Sequence, residues 1–289
     1  MAQPIISIII VNYNTAHMIG PCLDSIEKNL DFPLETFVVD NASKDESVTL
    51  IKDNYPWVQL LESKQNLGFG KANNLAIQKS SGRYIYFLNP DTQVESGIFN
   101  IMTTYMDKNP HVGLAGTRLV YPNGQEQDSV QSVYPRHRYA KKKFDQLKGN
   151  IAWVLGASMI ARNEIIQSIK GFDERFFLYA EDIDICLTIR QQGWEIGYIP
   201  DAKVTHWARQ SEINNPPADV WRRLLIADRQ FFEKHFSKKE FQIVKWSNII
   251  QAIWRMFTLK IKRPFVTDKE AIKNKIDRYR LTYEIFCKS

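Results

Sequence analysis

Four short apolar runs, each followed by a segment of helical spacing, limit what the N-terminal third of this chain can become. Residues 5–11 (IISIIIV) are β-branched and bounded by Pro4 and Asn12, so they read as a strand. Met18, Ile19, Leu23, Ile26 and Leu30 then recur at helical intervals over 16–30. A second short strand over 36–39 ends at Asp40. Ser43 with Glu46 three residues on reads as a capping box opening a helix over 45–54. A third strand spans 58–61, the loop 65–70 (QNLGFG) leads to a helix over 71–80, and a fourth strand, 84–88 (YIYFL), runs into Asn89-Pro90-Asp91-Thr92. Strands alternating with helices of about ten to fifteen residues build βαβ units on a parallel sheet covered on both faces. The expected class is α/β, doubly wound.

After Asp91 the pattern loosens. A helix is expected over 95–108, strands over 112–115 and 118–121, and then a polar stretch over 123–150 containing Arg136, Arg138, Lys141, Lys142 and Lys143. A stretch of this length inside a domain is a functional loop or a disordered one. Strand composition returns over 152–161, a helix over 181–192 carries Ile185, Cys186 and Ile189 on one side, and 195–199 and 203–206 are short strands. Pro216-Pro217 marks a boundary, giving domains 1–215 and 216–289. Beyond it, helices are expected over 218–236, 238–259 and 268–286. In the middle one Trp246, Ile249, Ile250, Ile253, Trp254 and Phe257 fall on one side, with Lys245, Asn248, Gln251 and Arg255 on the other.

A composition of 44% hydrophobic and 24% charged residues is that of an ordinary globular protein. Cys22, Cys186 and Cys287 are scattered without a CxxC, which argues against a disulfide framework or a cysteine metal site and fits a reducing compartment. No run of eighteen apolar residues predicts a spanning helix, and no leader pattern precedes the first strand; the expected location is cytoplasmic. The net charge of +6 is uneven. From Asp219 onward there are 17 Lys and Arg against 8 Asp and Glu, about +9, which leaves about −3 before it. An anionic surface is the expected partner of that tail, and no nucleic acid is expected.

The chemistry-bearing candidates sit at strand ends. Asn12-Tyr13-Asn14-Thr15 after the first strand has no glycine, and Gly68-Phe69-Gly70 continues to Asn73 where a third glycine would stand. The dinucleotide fingerprint is therefore absent, and there is no phosphate loop of the kinase type. In their place stand Asn12, Asp40, Asn66 and Asp91. Asp40 can accept from a base imide N–H or serve the helix that follows it. Asp91, at a strand's carboxyl end, is placed for ligand chemistry or simply shapes a turn. Glu181, Asp182 and Asp184 open a helix, where acids are favoured by the dipole, yet three exceed what a cap needs, and one can act as general base. His206 beside Trp207 is structural, or it pairs with Asp91 to bind Mn²⁺ or Mg²⁺ alongside phosphate oxygens.

In order and at consistent spacing, IIIVNYN (8–14), VVDNAS (38–43), QNLGFGKANN (65–74), FLNPDT (87–92), GASMIAR (156–162), GFDERFFLYAEDIDICLTIRQQGW (171–194) and VTHWARQS (204–211) resemble family 2 inverting nucleotide-sugar glycosyltransferases of the A-type (GT-A) fold. Among these they look most like the bacterial rhamnosyltransferases, and the likeness covers about residues 5–211. It implies a doubly wound, mostly parallel nucleotide-binding sheet with a mixed acceptor-side extension and a C-terminal helical tail. Asn12, Tyr13 and Asn14 would line the nucleotide pocket and Asp40 would read the base, while Asn66, Gly68 and Asn73 would shape the diphosphate side. Asn89 stands where the family's two-acid motif has its first carboxylate. Asp91 and His206 would then hold the cation with a single carboxylate between them. Asp182 would be the catalytic base and Glu181 would position the acceptor.

The resemblance further implies a nucleotide-sugar donor (dTDP-rhamnose first, a UDP-sugar as alternative) and a polysaccharide or lipid-linked acceptor in bacterial surface-glycan synthesis. The place of action would be the inner face of the cell membrane, with peripheral attachment. A nucleotidyltransferase would want a glycine-rich phosphate loop, and a non-catalytic nucleotide-sugar-binding scaffold would want no base. For the tail, an anionic membrane surface stands against packing on the body or on a second copy in a homodimer. The basic loop 136–143 either meets an acceptor diphosphate or is solvated.

Overall fold

A computed structural model describes residues 4–208, 210, 215–265 and 267–287. The chain forms two compact units, the first of Met1–Tyr134 with Gln146–Ile213, the second of Pro135–Asp145 with Asn214–Ser289.

In the first unit the elements run β1 (Ile6–Asn12), α1 (Ala16–Glu27), β2 (Leu34–Asp40), α2 (Ser47–Asn54), β3 (Val58–Glu62), α3 (Phe69–Ile77) and β4 (Tyr84–Leu88). These are followed by β5 (Thr92–Val94), α4 (Ile98–Lys108), β6 (Val112–Val120) and β7 (Val130–Gln131). In the second unit lies α5 (Lys141–Phe144). The chain then returns as β8 (Trp153–Val154), β9 (Ser158–Arg162), α6 (Asn163–Ser168), α7 (Glu181–Gln191) and β10 (Glu195–His206).

Eight strands form one sheet in the order β3-β2-β1-β4-β9-β6-β10-β5. β1 to β4 are parallel neighbours and β6 pairs parallel with β10, whereas β9 runs opposite to both β4 and β6, and β5 opposite to β10. The two-residue alternation of a strand explains the double covering. Ile6, Ile8 and Ile10 of β1 with Tyr84, Tyr86 and Leu88 of β4 pack on Ile19, Leu23 and Ile26 of α1 and on Phe99, Met102 and Met106 of α4. The intervening Ile9, Val11, Ile85 and Phe87 pack on the other face against Ala72, Ala76 and Ile77 of α3 and Ile185 and Ile189 of α7. The α/β, mostly parallel doubly wound architecture with a mixed extension is as the sequence predicts.

Several boundaries differ. Val112–Val120 form one strand rather than two. β10 is likewise continuous, with its register against β6 shifting between Ile199 and Lys203, where Pro200 cannot donate to the ladder. Residues 152–161 split into β8 and β9, with Gly156 between them. Ser43 caps no helix: α2 begins at Ser47, whose N–H and hydroxyl both bond Asp45 Oδ1 (3.2 and 2.6 Å). The polar stretch 123–150 also holds structure, β7 pairing with β8, a 3-10 turn at His137–Tyr139, and α5.

Arg190 of α7 is 6% exposed and gathers the points where the chain leaves this unit and comes back. Its guanidinium donates to Tyr134 Oη (3.1 Å) and to the carbonyls of Leu147 (3.2 Å), Lys148 (2.8 Å) and Gly149 (2.9 Å).

The second unit holds α8 (Pro217–His235), α9 (Lys238–Lys262) and α10 (Lys269–Cys287). Ser237 and Glu240 form a capping box at the start of α9 (Glu240 N to Ser237 Oγ 3.3 Å, Ser237 N to Glu240 Oε2 2.8 Å). The Arg278 guanidinium of α10 lies 3.5 Å from the Trp221 ring centroid of α8. The basic segment 135–145 packs among these helices. Arg136 Nη2 donates to Asn248 Oδ1 (2.6 Å), Lys143 Nζ to the His235 carbonyl (2.5 Å), Tyr139 Oη bonds Ser247 Oγ (3.0 Å), and Phe144 meets Phe236 edge-on. Asn248 and Ile249 are therefore buried together, whereas the sequence spacing set them on opposite sides of α9. No described helix is long and apolar enough to cross a membrane.

Replacing Arg190 with Ala leaves three carbonyls and a tyrosine hydroxyl without their donor. The expected loss, read by urea unfolding, is about 2–4 kcal/mol; a change within about 0.5 kcal/mol would mean that water replaces the clamp at little cost.

Candidate active site

Because β1–β4, β6 and β10 run the same way, their carboxyl ends lie along one edge of the sheet, and β9, running opposite, brings its beginning there. Open α/β sheets bind ligands at that edge.

Asn12 and Asp40 end β1 and β2 as register partners, 0% and 2% exposed. Asn12 Nδ2 donates to Asp40 Oδ1 (3.0 Å) and Ser43 Oγ (3.1 Å), and Asn12 Oδ1 accepts from the Thr15 hydroxyl (2.6 Å). The Ser43 amide donates to Asp40 Oδ2 (3.0 Å). Each Asp40 oxygen thus accepts one bond from the chain itself and keeps a further lone pair. Asn14, at φ 53°, accepts from the Lys44 amide through Oδ1 (2.7 Å), and its own N–H reaches Ser43 Oγ (2.9 Å). Tyr13 is half-buried in the turn beside it. Ser43, read from sequence as a cap, instead ties the two strand-end turns together.

On the next strand end, Asn66 Oδ1 accepts from Asn41 Nδ2 (3.0 Å) and the Gly68 amide (2.9 Å), and Asn41 Oδ1 accepts from the Leu67 amide (2.8 Å). Gly68 has φ +79°, and a Cβ there would run into the Phe177 carbonyl, which accepts from the Phe69 amide (2.8 Å). Asn74 adds paired bonds to the Phe172 carbonyl and amide (2.9 Å each). The loop 65–74 therefore locks the segment 171–177 that leads into α7. Asn73, expected on the diphosphate side, turns its amide to Phe69 O of its own helix (2.9 Å) and is 1% exposed, so it supports the loop from within.

At the end of β4, the Asn89 amide donates to the Ala157 carbonyl (2.9 Å), extending the β4–β9 ladder by one bond. The neighbouring Gly156 amide donates to Asp182 Oδ2 (3.2 Å), and the Ile183 amide to Asp182 Oδ1 (2.8 Å). A Cβ on Gly156 would stand 3.2 Å from Asp182 Cβ, so glycine permits the approach. Asp182 is half-buried and burial raises its carboxyl above the usual range. Glu181 is 8% exposed, and its Oε2 is buried with no hydrogen-bond partner. Burial first, and the Asp182 charge second, push its carboxyl up to about 8. Asp184 is buried, at 2% exposure.

Thr92 of β5 pairs with His206 of β10. This sets Asp91 Oδ1 3.4 Å from His206 Nε2, with both side chains almost fully buried. His206 Nδ1 meets Gln127 Oε1 (2.8 Å) while Gln127 Nε2 donates to the His206 carbonyl (2.6 Å). Since Gln127 Oε1 can only accept, Nδ1 is the donor in that bond, and Nε2 is the ring nitrogen that faces Asp91. An imidazole nitrogen and a carboxylate oxygen at that separation suit a shared divalent cation. Among the described residues no group of three or more His, Cys, Asp and Glu converges, so oxygens of a ligand would complete the shell. The Gln210 amide reaches Asp91 Oδ2 (3.4 Å), while Arg209 and Ser211 of the motif 204–211 lie outside the described residues.

Sequence reasoning overlooked Asn41, Asn74, Gly156 and Gln127. The first three stand inside or beside motifs already singled out. Gln127 lies in a polar stretch with no periodicity; the chain turns back on β6 there (Gln127 N to Leu119 O 2.9 Å), and the β6–β10 pairing of Val120 with Thr205 brings it to His206.

The sequence profile of Glycosyl transferase family 2 matches residues 7–169. The chain is 24% identical over 246 residues to the N-acetylglucosaminyl-diphospho-decaprenol L-rhamnosyltransferase of Mycobacterium tuberculosis, covering 75% of this chain and 80% of that protein. It is 26% identical over 207 residues to the O-antigen chain rhamnosyltransferase RfbN of Salmonella typhimurium, covering 70% and 66%. In structure it is similar to the mannosyltransferase PcManGT of Pyrobaculum calidifontis in complex with GDP-Man and Mn²⁺ (TM-score 0.60, 17% identity, 99% of this chain and 87% of that one). S. aureus TarS 1–349 in complex with UDP-GlcNAc is also similar (TM-score 0.57, 19% identity, 82% and 69%). These structural likenesses establish the GT-A fold. A profile spanning more than half of the sequence establishes the family as well, and the chain belongs to glycosyl transferase family 2, as an inverting glycosyltransferase.

Proposed function

We propose that the chain transfers L-rhamnose from dTDP-rhamnose to a lipid-linked or polysaccharide acceptor during assembly of a bacterial surface glycan. Asp182 is the base, and the observation that carries the reading is its double amide support from Gly156 and Ile183 at the sheet's carboxyl edge. The M. tuberculosis and S. typhimurium relatives, both rhamnosyltransferases by name, favour the donor.

The residues divide the work as follows. Asn12 holds Asp40 at the strand edge, where it meets the nucleobase, with Tyr13, Asn14 and Asn89 lining the nucleotide. Asn66 and Gly68 keep the loop backbone against the diphosphate, and Asn73 steadies it. Asp91 and His206 would hold Mn²⁺ or Mg²⁺, which when bound neutralises charge on the departing diphosphate as a Lewis acid. Asp182 takes the acceptor hydroxyl proton as that oxygen attacks the anomeric carbon from the face opposite the diphosphate. One displacement inverts the configuration. Glu181, carrying its proton, donates its O–H to the acceptor and leaves Asp182 the ionised member of the pair.

Turnover assayed over a panel of dTDP- and UDP-sugars with Asp182→Asn alongside should show dTDP-rhamnose preferred. The variant should lose about 10²–10⁴-fold in kcat while still binding donor. Equal turnover by the variant would refute the base, and preference for a UDP-sugar would refute the donor. Mn²⁺ should tighten dTDP binding by titration calorimetry, and Asp91→Asn and His206→Ala should each abolish that gain; an unchanged gain would remove both from the cation.

Glu181 titrates near 4.5 when unfolded and near 8 when folded, so the folded chain keeps the extra proton between those values. Its stabilising contribution is complete below the lower value and vanishes as pH rises through the upper one. Compared with Glu181→Gln, the wild-type Tm should fall progressively from about pH 5 to about pH 9. Parallel Tm curves would mean that the carboxyl is ionised throughout.

A further inference from the structure

The outward side of α9 bears a continuous apolar ridge. Trp246, Ile250, Ile253, Trp254, Phe257 and Ile261 recur at helical spacing and are 50–64% exposed, while Val244, Asn248, Ile249 and Ala252 on the opposite side are buried. Lys239 and Lys260, both exposed, flank the ridge on the same helix. At its C-terminal end Lys260, Arg263, Pro264 and Lys269 line a pocket of about 320 Å³ with three cations and no carboxylate. The second unit as a whole carries 22 Lys and Arg against 9 Asp and Glu, a net +13, which leaves −7 for the rest of the chain.

We infer that this unit docks on an anionic phospholipid bilayer, with α9 lying in the interface, its ridge among the upper acyl carbons and the pocket receiving a headgroup phosphate. Trp, Ile and Phe on one face with Lys and Arg beside them suit the boundary between headgroup and acyl chain. The negative surface potential of such a leaflet attracts juxtaposed cations. A second copy would set two bodies of +13 against each other, and a nucleic acid would take the cations but leave the ridge in water. The inference rests on the second unit alone, so it stands whichever sugar the first unit transfers.

The test is sedimentation of the full chain with vesicles of phosphatidylcholine alone and of phosphatidylcholine with phosphatidylglycerol. Three proteins are compared: wild type, Trp254→Glu/Phe257→Glu, and Lys260→Glu/Arg263→Glu/Lys269→Glu. All five positions are on the surface, and circular dichroism with dTDP binding reports that both units stay folded. Wild type should partition to the anionic vesicles at least about tenfold better than to the neutral ones. Each variant should lose about tenfold or more on the anionic vesicles. Wild type indifferent to anionic lipid, or either variant binding like wild type, would overturn the proposal. So would a dimer seen by light scattering that the ridge variant dissolves while no vesicles are bound. Catalytic turnover on a water-soluble acceptor, measured in parallel, keeps a failure of docking separate from a failure of the transferase reading.

Discussion

One backbone hydrogen bond joins the two halves of the candidate site. The Asn89 amide reaches the Ala157 carbonyl at 2.9 Å, one step beyond the regular β4–β9 ladder. It exists because β9 runs against its neighbours, so its beginning meets the end of β4. On one side of the bond is the turn that presents Asp91; on the other is Gly156, whose amide holds Asp182. An all-parallel sheet would have put the start of that strand at the far edge. The reversed strand is therefore what brings the Asp91 turn and the start of α7 to one edge of the sheet.

Much of this was legible beforehand. Strand runs such as 5–11 and 84–88 are so strongly apolar that the doubly wound sheet follows from periodicity, and Asn12, Asp40, Asp91 and Asp182 all fall at element ends where ligand chemistry collects. What could not be read is contact between residues far apart in sequence. Gln127 reaches His206 across 79 positions, and Asn74 reaches Phe172 across 98. Ser43 shows the converse. Its local pattern satisfied a capping box, but a buried Asn12 amide and the Asn14 N–H needed an acceptor, and that tertiary demand prevailed. Asn248 is a similar case: helical spacing gave it a polar side, yet Arg136 draws it inward.

The electrostatics follow one logic. Glu181 and Asp182 adjoin at a helix start where burial raises both carboxyls, so a single negative charge is favoured over two. Asp182 has two amide donors and Glu181 has an orphaned oxygen, so the charge settles on Asp182. The Asp91 and His206 pair sets a carboxylate and an imidazole facing across 3.4 Å, with Gln127 on the other ring nitrogen.

The segment 135–145 belongs by packing to the helices that follow Pro216, although it is threaded through the sequence of the sheet-bearing unit. The C-terminal region is consequently not an appendage. A chain cut at the proline pair would strip Arg136, Lys143 and Phe144 of Asn248, the His235 carbonyl and Phe236, the partners of this strongly basic, partly apolar loop. Natural or engineered shortening at the C-terminus would thus be felt in the middle of the transferase sequence, between the two residues Tyr134 and Gly149 that Arg190 holds.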